Sequence, residues 1–372
     1  MVSSLKRNND IQALRGIAII MVMLQHYRNR LPTSTGYHEA FEHFSFWGGV
    51  DLFFVISGFV IVSSLLSSTG LQDGKSLSPA ELATFFKKRA VRLLPASWFW
   101  LGMGGILFTA IPMMGVSGTI PEFKSILAGM TGTANFYWSS CVSTASIGTA
   151  CPPADINSVY WSLSFEEQFY LCFAVSLCVL RIRLAILAWG LYALVFTALS
   201  ILLHDMSAFS ALWIVRPQGM VLGVLLGVIV HKGNPFPRLA TRARTVGILV
   251  GSVALCWISK GLDLNYAIPI MAAISGIIVI LAIPDNSIST GYGRVLQWIG
   301  DRSYSIYLSH LLVFHLIRYV MEFTGHAGLL VSPSNAITAV FVLVSFASAM
   351  AVGSLSWKYI ERRLWRPQSS HP

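Results

Sequence analysis

Apolar stretches long enough to cross a bilayer recur about ten times along this chain, separated by short polar links. A hydrocarbon core about 30 Å thick needs about 20 helical residues per crossing. Spans are expected at roughly 11–30, 47–67, 92–114, 159–180, 184–203, 210–230, 245–283 as two, 303–323 and 335–357. One more segment, 125–138, is weak. Gly129, Gly132, Thr131, Thr133 and Asn135 make a poor lipid-facing helix, and a re-entrant or surface piece is expected there. The fold class is therefore all-α: a polytopic transmembrane helical bundle of about ten spans. Composition agrees, with 55% hydrophobic and 11% charged residues, against about 25% charged in a soluble domain.

The net charge of +10 would suggest nucleic acid in a soluble protein. Here the lysines and arginines sit in short clusters between apolar segments, with no basic run interleaved with exposed aromatics, so nucleic acid is set aside. Twenty of the 26 lysines and arginines fall on the side that holds both termini. That bias places both termini in the cytoplasm and the loop from about Gly115 to Ser158 outside. Cys141 and Cys151 flank a polar part of that loop, where a disulfide is expected, two free thiols being the alternative. Cys172, Cys178 and Cys256 fall in apolar segments as packing residues. No cleavable signal peptide and no appended soluble domain are expected; residues 1–372 read as one membrane domain.

The first span carries Arg15 near one end and His26 near the other. Eleven residues make about three turns, which sets both on one helix face about 16 Å apart along the axis. Ionisable groups inside a span face a bundle interior or a wet cavity. Asp51, in Trp47-Gly-Gly-Val-Asp-Leu-Phe-Phe, reads either as an interface residue or as the orienter of a basic partner. Ser78 and Glu81 form a capping box with Pro79 at the first helical position, so a helix starts there on the inner surface and runs into the membrane. On it Arg89 and Arg92 share a face, suited to anionic lipid or to a pyrophosphate or ribose phosphate. Glu166 and Glu167 lie within the span that follows Asn157-Ser-Val-Tyr-Trp-Ser, Glu166 about 12 Å in from its outer end. By this count His26 also falls in the outer half, where a carboxylate would orient it as a general base. Arg216 marks the outer mouth of a later span. Tyr304, Tyr307 and His310 are expected in the inner half of another.

The chain resembles the integral-membrane acyltransferase family 3, which includes bacterial O-acetyltransferases of surface carbohydrates. The resemblance rests on Leu14-Arg15-Gly16-Ile17-Ala18 with His26, Gly49-Val-Asp-Leu-Phe-Phe-Val-Ile-Ser-Gly-Phe59, and Arg89-Ala-Val-Arg92 before Leu93-Leu94-Pro95. Trp161-Ser-Leu-Ser-Phe-Glu166 and Ser303-Tyr-Ser-Ile-Tyr-Leu-Ser-His310 complete it. It implies transfer of an acyl group, usually acetyl from acetyl-CoA, to a sugar hydroxyl. His26 would match the family's essential histidine, with Glu166 and Asp51 as catalytic partners. Arg15, Arg89, Arg92, Tyr307 and His310 would bind the acetyl-CoA co-substrate, and Trp161, Ser162, Glu167 and Arg216 the acceptor. The expected partners are a carbohydrate acceptor, polysaccharide or glycolipid, the lipid bilayer, and, where the acceptor needs one, a separate extracytoplasmic protein. The expected location is the bacterial inner membrane. The competing reading is a proton-coupled transporter or flippase with His26, Asp51 and Glu166 as a relay.

Overall fold

The computed structural model describes residues 8–28, 30–70, 76–110, 119–143, 156–203, 215–236, 239–285, 287–288, 291, 293–331 and 333–364. Among the described residues every regular element is helical. In order they are α1 (Asn9–Tyr27), α2 (Thr35–His43), α3 (Gly48–Thr69), α4 (Pro79–Ala110), α5 (Thr119–Met130), α6 (Ala134–Ser143), α7 (Tyr160–Val179) and α8 (Ile182–Leu202). There follow α9 (Pro217–Lys232), α10 (Thr241–Gly261), α11 (Leu264–Ala282), α12 (Gly293–Asp301), α13 (Ser303–Phe323), α14 (Gly328–Val331) and α15 (Asn335–Ser356).

Seven of these, α3, α4, α8, α10, α11, α13 and α15, are long and apolar enough to cross a membrane, α15 with the turn that continues it to Glu361. α9 is apolar but 16 residues long. α1 and α7, of 19 and 20 residues, carry the ionisable residues singled out above. The weak segment becomes two pieces, α5 of 12 residues and α6 of 10. At 1.5 Å per residue neither reaches across a core about 30 Å thick. The capping box forms as expected: Glu81 N–H donates to Ser78 Oγ, while Ser78 N–H and Oγ–H donate to Glu81 Oε2 at 2.9 and 2.7 Å.

The chain clusters into two compact units. The first comprises Met1–Gln25, Ala40–Ala83 and Phe165–Asp301, and the second His26–Glu39, Thr84–Ser164 and Arg302–Pro372.

In the first unit α3 and α9 pack with backbones almost touching. A β-carbon on Gly223 would lie 2.1 Å from the Val55 carbonyl oxygen, and one on Gly58 would lie 2.2 Å from that of Met220. Small residues are what let membrane helices approach this closely, since lipid tails leave no hydrophobic drive to bring helices together. Gly223→Ala is expected to cost about 1–3 kcal/mol by forcing the pair apart, read as a lower melting temperature of the purified protein. Gly190→Ala, with nothing within 4 Å of the added carbon, should not lower it.

The start of α1 and the end of α11 cap each other. Asp285, in the left-handed region at φ 58°, accepts through Oδ1 from the N–H groups of Asn9 and Asp10 at 3.1 and 3.0 Å. Asn8 Nδ2 in turn donates to the carbonyls of Ala282 and Ile283 at 3.0 and 2.9 Å. Unpaired helix-end groups are thereby satisfied on both sides. α12 then lies along the Arg15 turn of α1, where a β-carbon on Gly16 would come 2.2 Å from the Leu296 carbonyl oxygen.

In the second unit polar side chains tie apolar helices together. Trp100 Nε1 donates to Ser356 Oγ at 3.0 Å, Ser305 and Ser356 share a bond of 3.0 Å, and Ser305 also donates to Glu361. Tyr160 OH donates to the Ser97 carbonyl and Tyr304 OH to that of Leu93, each at 2.9 Å.

Candidate active site

α1 ends in the second unit with His26 and Tyr27. Arg30 Nη1 donates to the His26 carbonyl at 2.6 Å, a cation where the helix dipole favours one. Tyr27 is fully buried and its hydroxyl donates to the Pro32 carbonyl at 2.7 Å, turning the chain toward α2. There Tyr37 stands with its ring 5.5 Å from that of Tyr27, and burial pushes its phenol well above the ordinary value, so it stays protonated.

The His26 ring meets His310 of α13, with Nδ1 and Nε2 2.8 Å apart. The ring centroids are 5.0 Å apart and the planes differ by 18°. That separation is about the nitrogen–nitrogen distance plus the two ring radii, so the rings meet edge to edge along a nearly linear bond. His310 is fully buried and His26 half-buried. His310 Nδ1 lies 2.9 Å from the Tyr307 carbonyl and 3.2 Å from that of Ile306. The Phe314 ring stands edge-on to His310 at 5.8 Å.

This contact corrects one expectation. Counting from span ends put His26 in the outer half of the membrane and His310 in the inner half; rings in hydrogen-bond contact share one depth. The count took the start of α13 as a membrane surface. Only Arg302 separates α13 from α12 in the chain, so no polar loop marks that start.

Tyr307, one turn before His310, is buried, and its hydroxyl shares a 2.6 Å bond with Ser162 and donates to the Val159 carbonyl at 3.2 Å. Trp161 is also buried in this first turn of α7. Farther along α7, in the first unit, Glu166 accepts from the Tyr170 hydroxyl one turn on, and Glu167 is half-buried. Tyr170 was noted in the sequence only as part of the motif around Glu166 and given no role, although its spacing of four from Glu166 is the helical signal for such a pair. Tyr304 was placed in the sequence only by its depth in the span. Its bond to Leu93 fixes the start of α13 to the α4 turn beside Arg92. Of the two arginines, Arg89 is half-buried and Arg92 exposed.

In the first unit Asp51 and Arg216 form a buried ion pair, Arg216 Nη2 donating to Asp51 Oδ2 at 2.7 Å, with side chains 1% and 6% exposed. Asp51 thus pairs with a cation where α3 packs on α9. Arg15, also in this unit, is half-buried on α1. Cys141 is disulfide-bonded; Cys151, its expected partner, lies outside the described residues. Cys172, Cys178 and Cys256 are free thiols.

Long apolar helices with polar networks buried between them define an integral membrane protein. The chain belongs to the acyltransferase family, whose domain, described as an acyltransferase domain, matches residues 8–355. It is similar to the peptidoglycan O-acetyltransferase OatA of Listeria monocytogenes, 26% identical over 95% of this chain and 55% of the relative. It is also similar to the exopolysaccharide production protein ExoZ of Rhizobium meliloti, 28% identical over 86% of this chain and 89% of the relative. The chain thus spans about half the length of OatA and most of ExoZ. No solved structure matches it.

Proposed function

We propose that the protein is a membrane O-acyltransferase that moves an acyl group, acetyl foremost, from cytoplasmic acyl-CoA to a hydroxyl of an extracytoplasmic or membrane-associated carbohydrate. Its termini lie in the cytoplasm and its membrane is the bacterial inner membrane. The observation that carries this reading is the histidine pair. A half-buried imidazole, held edge-on by a fully buried one, is a built general base in a chain of acyltransferase ancestry. The names of the relatives, an O-acetyltransferase of peptidoglycan and an exopolysaccharide production protein, support carbohydrate as the acceptor class.

In the step so proposed, the acceptor O–H bond breaks and its proton passes to His26. The oxygen keeps the electron pair and bonds to the thioester carbonyl carbon. The carbon–sulfur bond then breaks, and the departing CoA thiolate takes the proton back from His26. An acyl-histidine on the way would give the same products. Arg89 and Arg92 hold CoA phosphates as guanidinium forks; Arg15 and Glu166 enter with the roles their motifs imply. A separate extracytoplasmic protein presents the acceptor where one is needed.

The test incubates membranes holding the protein with acetyl-labelled CoA and extracted envelope glycans. Label must appear in glycan, and membranes lacking the protein must give none. For the donor side, Arg89→Ala is expected to weaken CoA binding about tenfold, one charge-assisted bond's worth. Lys87→Ala, from an exposed position on the same helix, should change it little. Equal effects in a CoA titration would leave only a generic charge role.

A further inference from the structure

The hydrogen bonds of the histidine pair leave one arrangement of protons. Carbonyl oxygens only accept, so the His310 nitrogen facing the Tyr307 and Ile306 carbonyls, Nδ1, carries a proton. A neutral imidazole has one N–H, so His310 Nε2 accepts. Its partner 2.8 Å away, His26 Nδ1, must then donate. That commits the lone pair of neutral His26 to Nε2. The reverse assignment would set two lone pairs face to face, or would require a second proton on fully buried His310 and remove the basic nitrogen from His26. We infer that His310 is a positioning residue, which fixes His26 as its Nδ1–H tautomer and makes Nε2 the nitrogen that meets the reacting hydroxyl.

His310 is itself held in orientation. Phe314 stands edge-on to it and packs in turn against Tyr27 at 6.2 Å and Phe346 at 6.3 Å. The Tyr307 ring lies 5.9 Å away on the other side, and its position is fixed by the bonds to Ser162 and Val159. Turning His310 over would move Nδ1 off both carbonyls and Nε2 off His26. When His26 takes the acceptor's proton on Nε2, its Nδ1–H still points at His310 and the bond becomes charge-assisted. The reacting groups therefore approach the Nε2 edge of His26, and an acyl-histidine, if one forms, carries its acyl group on Nε2.

The inference rests on the acyltransferase reading only for its kinetic arm. The direct arm is solid-state NMR of the protein labelled with 15N-histidine in lipid bilayers at mildly alkaline pH, where protonated and bare ring nitrogens resonate apart. His26, assigned by the signals lost in His26→Gln, is expected to show a protonated Nδ1 and a bare Nε2. A bare Nδ1 overturns the proposal whether or not the protein transfers acyl groups. In the kinetic arm His310→Leu, which cannot accept the bond, should lower kcat about a hundredfold and leave KM for acetyl-CoA unchanged. His310→Gln, whose Oε1 can accept from Nδ1–H, should recover much of that loss. Equal losses in the two variants, both inserted and monodisperse, overturn the positioning role, and so does a loss seen in KM alone.

Discussion

Replacing His26 by glutamine is expected to lower acyl transfer from labelled CoA to envelope glycan by about 10²- to 10⁴-fold, the share a positioned general base supplies. Glutamine keeps roughly the size and polarity of the side chain and cannot take the hydroxyl proton. The variant should still fold. His26 is half-buried, and the bond that closes the last turn of α1 uses its backbone carbonyl, which any residue provides. A melting temperature within a few degrees of the wild type, with transfer nearly gone, is the expected pair of results. Undiminished transfer in a folded His26→Gln protein would remove His26 from the chemistry and with it the general-base step proposed here.

The second large effect is on stability. Asp51 and Arg216 are buried together, yet they use one arm of what could be a two-armed contact. Asp51 Oδ1 and Arg216 Nε are both buried and have no hydrogen-bond partner among the described residues. Removing one member leaves a buried charge uncompensated, which costs about 3–5 kcal/mol. Asp51→Leu alone should therefore lower the melting temperature by several degrees, and Arg216→Met alone by a similar amount. The double variant should regain most of the loss, because a buried pair replaced by apolar side chains of similar volume is often neutral or better. Additive losses in the double variant would show that the two residues do not stabilise the protein through each other.

Much of the helical framework was legible because length and apolar composition suffice for it. Seven of the expected spans hold helices long and apolar enough to cross a membrane, helices α1, α7 and α9 stand at three others, and the glycines and threonines of 125–138 did mark short helices. The start of α4 was legible too, since a capping box lies within four residues of chain. The pairings were not. His26 and His310 are 284 residues apart and Asp51 and Arg216 are 165 apart. Each residue was conspicuous as an ionisable group in an apolar stretch, but nothing local says which finds which. Depth counted along a single helix was the only ruler at hand, and the contact between His26 and His310 shows that it could not hold for both. The mutual capping of α1 and α11 was hidden for a related reason. Asp285 caps a helix that begins 276 residues earlier in the chain, so no start signal adjoins the helix it serves.

The glycine contacts between α3 and α9 reach along most of both helices, from Gly219 beside Phe54 to Gly227 against Val62, and the Asp51–Arg216 pair bolts one end. Two rods joined along their length and pinned at a tip resist sliding, splaying and rotation at once. They behave as a single beam too tight to admit a lipid tail or a sugar ring. Whatever moves in the first unit during a catalytic cycle must swing about that beam.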